Sequence, residues 1–179
     1  MTEFKENSVL LRGDTLEIKA YNQNAQQEWD ARCHKWDLRF LAMADMVASW
    51  SKDRSTKVGA VIVGENLDVR SVGYNGFPRG IYDEVEERHQ RPLKYKWTEH
   101  AERNAIYNAV LNHTPVAGCT MYLTWYPCPD CARAIIQSGI KILVCGKRPD
   151  DSNPTFADDF KITTEMLEEA GIVVVFPNG

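Results

Sequence analysis

The chain has 179 residues, 44% of them hydrophobic, enough for one sizeable core and too few for two ordinary domains. A formal net charge of -4 argues against a protein that coats nucleic acid through a broad basic face, because such binding rests on neutralising many phosphates. No apolar run approaches the roughly 20 residues that span a bilayer, and the start, Met1-Thr2-Glu3-Phe4-Lys5-Glu6, lacks the apolar segment of a secretory signal, so the expectation is a cytoplasmic protein without a membrane.

Residues 1 to 35 are polar, with a patch at Asn22, Gln23, Asn24, Gln26 and Gln27 and a weak apolar stretch at Val9, Leu10 and Leu11; they read as an N-terminal extension to a domain covering 36 to 179. From Trp36, the residues Phe40, Met43, Val47 and Trp50 recur every three or four positions, which predicts a helical face ending near Ser51. Val58 to Val63 and Arg70 to Tyr74 are strand candidates joined through Gly64 and polar residues, a predicted hairpin. Asn75-Gly76-Phe77-Pro78-Arg79-Gly80 breaks regular structure, and Asp83 to Lys96 is expected to form a long loop or a short helix.

His100 to Leu111 is alanine-rich and predicts a helix packed closely into a core. Cys119 to Thr124 reads as a strand. Pro127 is expected to open a helix from Cys128 to about Ser138, with Gly139 as its stop. Lys141 to Cys145 is another strand, and a last helix, capped by Thr163 or Thr164 and ended by Gly171, leads into the strand Ile172 to Phe176. The alternation predicts an α/β fold: a central five-stranded mixed sheet, its first two strands antiparallel, with helices on both faces.

Five cysteines are an odd number in a reducing compartment, where metal or catalytic use outranks a disulfide framework. Alone, Cys128 and Cys131 could be a structural zinc knuckle or a redox pair, and His100-Ala101-Glu102 alone is uninformative. Together, each at a predicted helix start and separated by one strand, they are specific. Three residues apart on a helix, the two sulfurs lie on one side and can share a metal, and amide dipoles at a helix start favour the thiolate that binds zinc. Two thiolates and a neutral His100 imidazole leave the fourth tetrahedral position for water, the pattern of a catalytic rather than a structural zinc. Water there is acidified toward a pKa of about 7. Glu102 supplies the carboxylate that protonates a ring nitrogen and then the departing amine. The same arrangement occurs in zinc-dependent base deaminases.

The chain resembles the cytidine deaminase superfamily, and within it the deoxycytidylate (dCMP) deaminases, from about Trp36 to Phe176. The resemblance rests on Ser51-Lys52-Asp53, Thr56-Lys57-Val58-Gly59-Ala60-Val61-Ile62-Val63, Gly73-Tyr74-Asn75-Gly76-Phe77-Pro78, Lys94-Tyr95, His100-Ala101-Glu102 with Asn104-Ala105-Ile106, and Ile135-Ile136-Gln137-Ser138-Gly139-Ile140. It implies a three-layer αβα fold and the reaction of dCMP with water to give dUMP and ammonia. It also implies one catalytic zinc, Asn75 as a substrate-binding residue, a homo-oligomer (hexamer or dimer), and dCTP and dTTP as effectors. Relatives acting on dCTP, a modified dCMP, a purine or an RNA base are alternatives, as is a non-enzymatic zinc-stabilised domain with Glu99 or His113 as fourth ligand.

Asn75 also suits a plain turn role. Tyr126 could stack on a base or simply pack, with Trp125 alternating away into the core. Ala101 counts among the substrate-binding candidates, and Arg54, Lys57 and Arg79 are the cations nearest the expected pocket, any of them a 5′-phosphate ligand. Where many relatives carry two further cysteines, this chain has Glu99 and Ile81, which speaks against a second, structural zinc; Cys33-His34, His89 and His113 are the residues left to form one. Cys119 and Cys145 read as small buried side chains.

Overall fold

The computed structural model describes residues 23–149 and 156–177. The apolar stretch at Val9 to Leu11 lies outside them. Helix α1, Gln23–Ser49, is longer than the Trp36 stripe predicts and begins inside the 1–35 segment, where glutamine, alanine and glutamate are good helix formers. Strands β1, Gly59–Val63, and β2, Val69–Tyr74, form the predicted hairpin. A 3-10 turn at Glu86–His89 and the short helix α2, Lys94–Trp97, occupy the segment expected to be loop or helix.

Helix α3, Ala101–Leu111, has His100 as its N-cap. Strand β3, Thr120–Leu123, leads to helix α4, Pro129–Gln137, and strand β4, Ile142–Cys145, follows. Helix α5, Ala157–Glu169, and strand β5, Val173–Val175, complete the order. Two helix starts differ from expectation. Pro129, not Pro127, takes the first helical position of α4, with Cys128 as N-cap. Helix α5 starts six residues before Thr163, so neither Thr163 nor Thr164 caps it. Its stripe is Phe156, Phe160, Thr163 and Leu167, and Asp158 and Asp159 stand in its first turn, where the helix dipole favours them.

The sheet order is β2-β1-β3-β4-β5. β1 is antiparallel to both β2 and β3, while β3–β4 and β4–β5 are parallel. Alternate residues of the central strands feed two cores. Ala60, Ile62, Met121, Leu123 and Leu143 pack with residues of α3, α4 and α5 on one face. Val61, Val63, Tyr122 and Val144 pack with Phe40, Leu41, Ala44 and Val47 of α1 on the other. The result is the expected three-layer αβα architecture. Among the described residues no helix is long and apolar enough to cross a membrane.

Two glycines let the helices lie close against the sheet. A Cβ on Gly59 would meet the Ala44 carbonyl oxygen at 2.0 Å, and one on Gly73 would meet the Ala101 oxygen and the Ala105 nitrogen at 2.3 Å. Gly73 thereby sets the depth of α3, the helix that carries His100 and Glu102.

Candidate active site

The parallel strand β3 ends at Leu123, and the chain turns through Thr124 to Pro127 into the start of α4. Helix α3 lies on the same side of the sheet, and the two helix starts converge. His100 Nδ1 is 3.5 Å from Cys128 Sγ and 3.4 Å from Cys131 Sγ. All three potential ligand atoms lie within 4.8 Å of one another, and they form the group of three that the described residues offer a metal. Zinc bonded to sulfur at about 2.3 Å and to nitrogen at about 2.0–2.1 Å in a tetrahedron has a sulfur-to-nitrogen edge of about 3.5 Å. The donor set therefore fits that ion in both chemistry and spacing.

The three groups also perturb one another's proton affinities. Hydrogen bonds from Cys131 and from His100 hold the Cys128 thiol at about 4, against the opposing effect of burial. Cys131 is pushed up by the Cys128 thiolate beside it and by burial. His100 is raised, chiefly by its hydrogen bond to Cys128, while burial lowers it.

Glu102, two residues beyond His100, is only 3% exposed. Burial raises its pKa, and the charge of His100 works in the opposite direction. Burial thus favours the protonated carboxyl more than an exposed position would, the direction a proton carrier needs.

Arg103, which sequence reasoning did not single out, braces both helix starts. Its Nε and Nη2 donate to Glu99 Oε1 at 2.6 and 2.5 Å, and Nη1 stands 4.0 Å from Asp130 Oδ2 on α4. The same Glu99 oxygen accepts the His100 backbone N–H at 3.0 Å. Glu99 is thus committed to Arg103 and the backbone, and His113 lies beyond the opposite end of α3 from His100. Neither joins the ligand group. Cys119 and Cys145 are buried, as expected.

The proposed substrate contacts separate into distinct roles. Asn75 is 7% exposed and its amide ties two framework groups: Oδ1 accepts from Val58 N at 2.8 Å and Nδ2 donates to the Thr56 carbonyl at 2.9 Å, with a second N–H and a second oxygen lone pair beyond these bonds. The turn role is therefore the one its contacts display. Tyr126 packs, one of its two expected roles, whereas Trp125 departs from the core place expected of it. The Tyr126 ring is buried against Phe176 and Phe160, with its hydroxyl 3.0 Å from Thr164 Oγ1, whereas Trp125 is 40% exposed with Lys147 over its face. The turn after β3 breaks the strand alternation on which that expectation rested. Ala101 is fully buried at the start of α3, its carbonyl against Gly73 of β2.

Of the three cations, Lys57 Nζ donates to the Ser49 carbonyl at the end of α1, and Arg79 is exposed and donates to Asn108. Arg54 alone of these lines a cavity of about 270 Å³, together with Lys52, Trp50, Phe77 and Thr98. The cavity is linked to the metal group through the backbone: Gly76 and Thr98 line it, and Gly76 pairs by backbone hydrogen bonds with Glu99, the residue before His100, while His100, Glu102, Cys128 and Cys131 are not among its lining residues. Its floor is built on a buried ion pair. Lys94 Nζ donates to Asp53 at 2.9 and 3.1 Å, and the Ser55 and Thr56 amides also bond to that carboxylate. His89, a candidate for a second metal, has its Nε2 2.5 Å from the Asp83 carbonyl and its ring against Phe77.

Comparison with known proteins gives a consistent result. A family model described as the cytidine and deoxycytidylate deaminase zinc-binding region matches residues 34–147. An uncharacterized deaminase in the luxG 3′ region of Aliivibrio fischeri is 42% identical over 142 residues, covering 79% of this chain and 93% of the relative. Human deoxycytidylate deaminase is 40% identical over 130 residues, covering 69% of this chain and 72% of the relative. Among solved structures, a dCMP deaminase from the cyanophage S-TIM5 in complex with dCMP and dUMP superimposes with a TM-score of 0.64 at 25% identity, over 78% of this chain and 95% of that one.

Proposed function

From the premise that the chain belongs to the cytidine and deoxycytidylate deaminase family, we propose that it hydrolyses dCMP to dUMP and ammonia. The observation that carries this reading is the convergence of His100, Cys128 and Cys131 at tetrahedral spacing beside a buried Glu102.

His100 Nδ1 and the two sulfurs hold one zinc ion. When bound, it serves as a Lewis acid that acidifies water beside the base. Glu102 accepts one proton from the attacking water and passes it to the ring nitrogen next to C4, then takes the second from the hydroxyl now on C4 and passes it to the exocyclic amine, which leaves as ammonia as the C4–N bond breaks and the C4 carbonyl forms. Its buried position keeps the carboxyl out of bulk water, so each proton it holds is passed to substrate rather than lost to solvent. The Arg103 brace to Glu99 and Asp130 keeps the two helix starts in register.

Arg54 and Lys52 receive the 5′-phosphate in the cavity, an assignment supported by its lining residue Gly76, which pairs with the residue before His100. Ala101 meets the base through its backbone, and Asn75 acts by fixing the wall formed by Thr56 to Val58. Residues 36 to 179 form the catalytic domain. The protein works in the cytoplasm as a homo-oligomer, a hexamer or dimer, to which the exposed Val110, Leu111 and Met46 offer apolar contact surface, with dCTP and dTTP as effectors. Ammonia release from dCMP, dCTP, cytidine and guanine by the zinc-loaded protein tests the assignment. Turnover of dCMP above the others supports it, and no turnover of any cytosine nucleotide refutes it.

A further inference from the structure

The two cations assigned to the phosphate already carry carboxylates supplied by the chain itself. Lys52 Nζ donates to Asp83 Oδ2 at 2.6 Å, and Arg54 Nη1 donates to both carboxylate oxygens of Glu86 at 2.7 Å. Both acids belong to the segment between Phe77 and Lys94, of which Asp83, His89 and Lys94 line the cavity, while Glu86 reaches it through Arg54. Lys94 is a different case, since it is buried and committed to Asp53 and Ser55. Among the described cations lining the cavity, Lys52 and Arg54 thus stand on its accessible rim.

The exposure of these pairs determines what they can do. The Lys52 and Arg54 side chains are 73% and 60% exposed, so each pair is held weakly and exchanges readily. A phosphate monoester offers the same cations more charge and more oxygens than one carboxylate. Two oxygens of Glu86 on one guanidinium already imitate that contact.

We propose that Asp83 and Glu86 are built-in competitors for the substrate phosphate, holding Lys52 and Arg54 closed across the cavity until a phosphate displaces them. The inference rests on the assignment of the phosphate to this cavity. Binding exchanges two ion pairs within the chain for two with the ligand, and the segment carrying Asp83 and Glu86 is freed from the rim. Affinity for phosphate is accordingly lower than Lys52 and Arg54 would otherwise give. Discrimination favours a dianion, because a neutral nucleoside lacks the charge to break the pairs.

Calorimetric titration of the zinc-loaded full chain with inorganic phosphate tests this without turnover. Glu86→Gln and Asp83→Asn each lower the phosphate dissociation constant by about twofold to fivefold, the range for releasing one exposed pair. The double variant multiplies the two effects, and Glu65→Gln, on the distant hairpin turn, leaves the constant unchanged. In an Arg54→Gln background, phosphate binds more weakly and Glu86→Gln no longer improves it. An unchanged dissociation constant in Asp83→Asn/Glu86→Gln, or a Glu86→Gln gain that persists without Arg54, overturns the inference. Failure to deaminate dCMP would instead refute the substrate reading, and the phosphate titration reports independently of it.

Discussion

Acid stability should depend on Asp53. Its carboxylate is buried on the cavity floor, where burial alone would raise its pKa. The Lys94 ammonium and the Thr56 and Ser55 amides outweigh that effect and hold it at about 2, against an ordinary value of 3.8. Each tenfold change in an acid constant is worth about 1.36 kcal/mol, so the carboxylate contributes about 2 kcal/mol to the native state. A folded-state pKa below the unfolded one means the unfolded chain binds the proton more readily. The contribution is therefore complete above about pH 4 and is lost as the pH falls through about 2. Asp53→Asn retains an oxygen for the Ser55 and Thr56 amides but leaves Lys94 buried without its counter-charge, which costs about 3–5 kcal/mol in comparable sites. Urea denaturation of both proteins from pH 2 to 6 measures the gap between them, and carboxylates common to both cancel. The gap should be at least about 2 kcal/mol at pH 6 and shrink by about that amount toward pH 2. Adding Lys94→Met to Asp53→Asn should restore part of the loss. A gap that stays constant across the range would refute the assignment.

Glu102→Gln should keep the fold and the metal while lowering kcat by about 100-fold or more, checked by ammonia release and metal analysis on one preparation. Cys131→Ala should lose stoichiometric zinc, which metal analysis of the dialysed protein reads directly. Gly73→Ala should destabilise the chain by about 2 kcal/mol or more, because its new methyl would sit 2.3 Å from Ala101 O and Ala105 N; thermal melts measure the loss, and reduced zinc retention should accompany it as α3 shifts. Thr163→Val should stabilise by about 1 kcal/mol, since the Thr163 hydroxyl is fully buried and has no hydrogen-bond partner among the described residues.

The metal group and Glu102 were legible in the chain because their signal is local. Two cysteines three residues apart at a helix start place their sulfurs on one side, and a histidine two before a glutamate at another helix start is a pattern readable within a short window. The same holds for the order of strands and helices, which period and turn residues encode within short windows. Only the tertiary structure decided the partners of side chains far apart in sequence. Lys94 meets Asp53 across 41 residues, Arg54 meets Glu86 across 32, and nothing near either residue announces its counter-charge. Trp125 also faces outward instead of into the core, since a turn, unlike a strand, sets no fixed alternation. Asn75 serves as a strut in the turn because folding brought Thr56 and Val58 within reach of its amide, a long-range contact that its turn sequence does not announce. Local chemistry is written in spacing, whereas a long-range contact exists only once the sheet and its covering helices have closed around it.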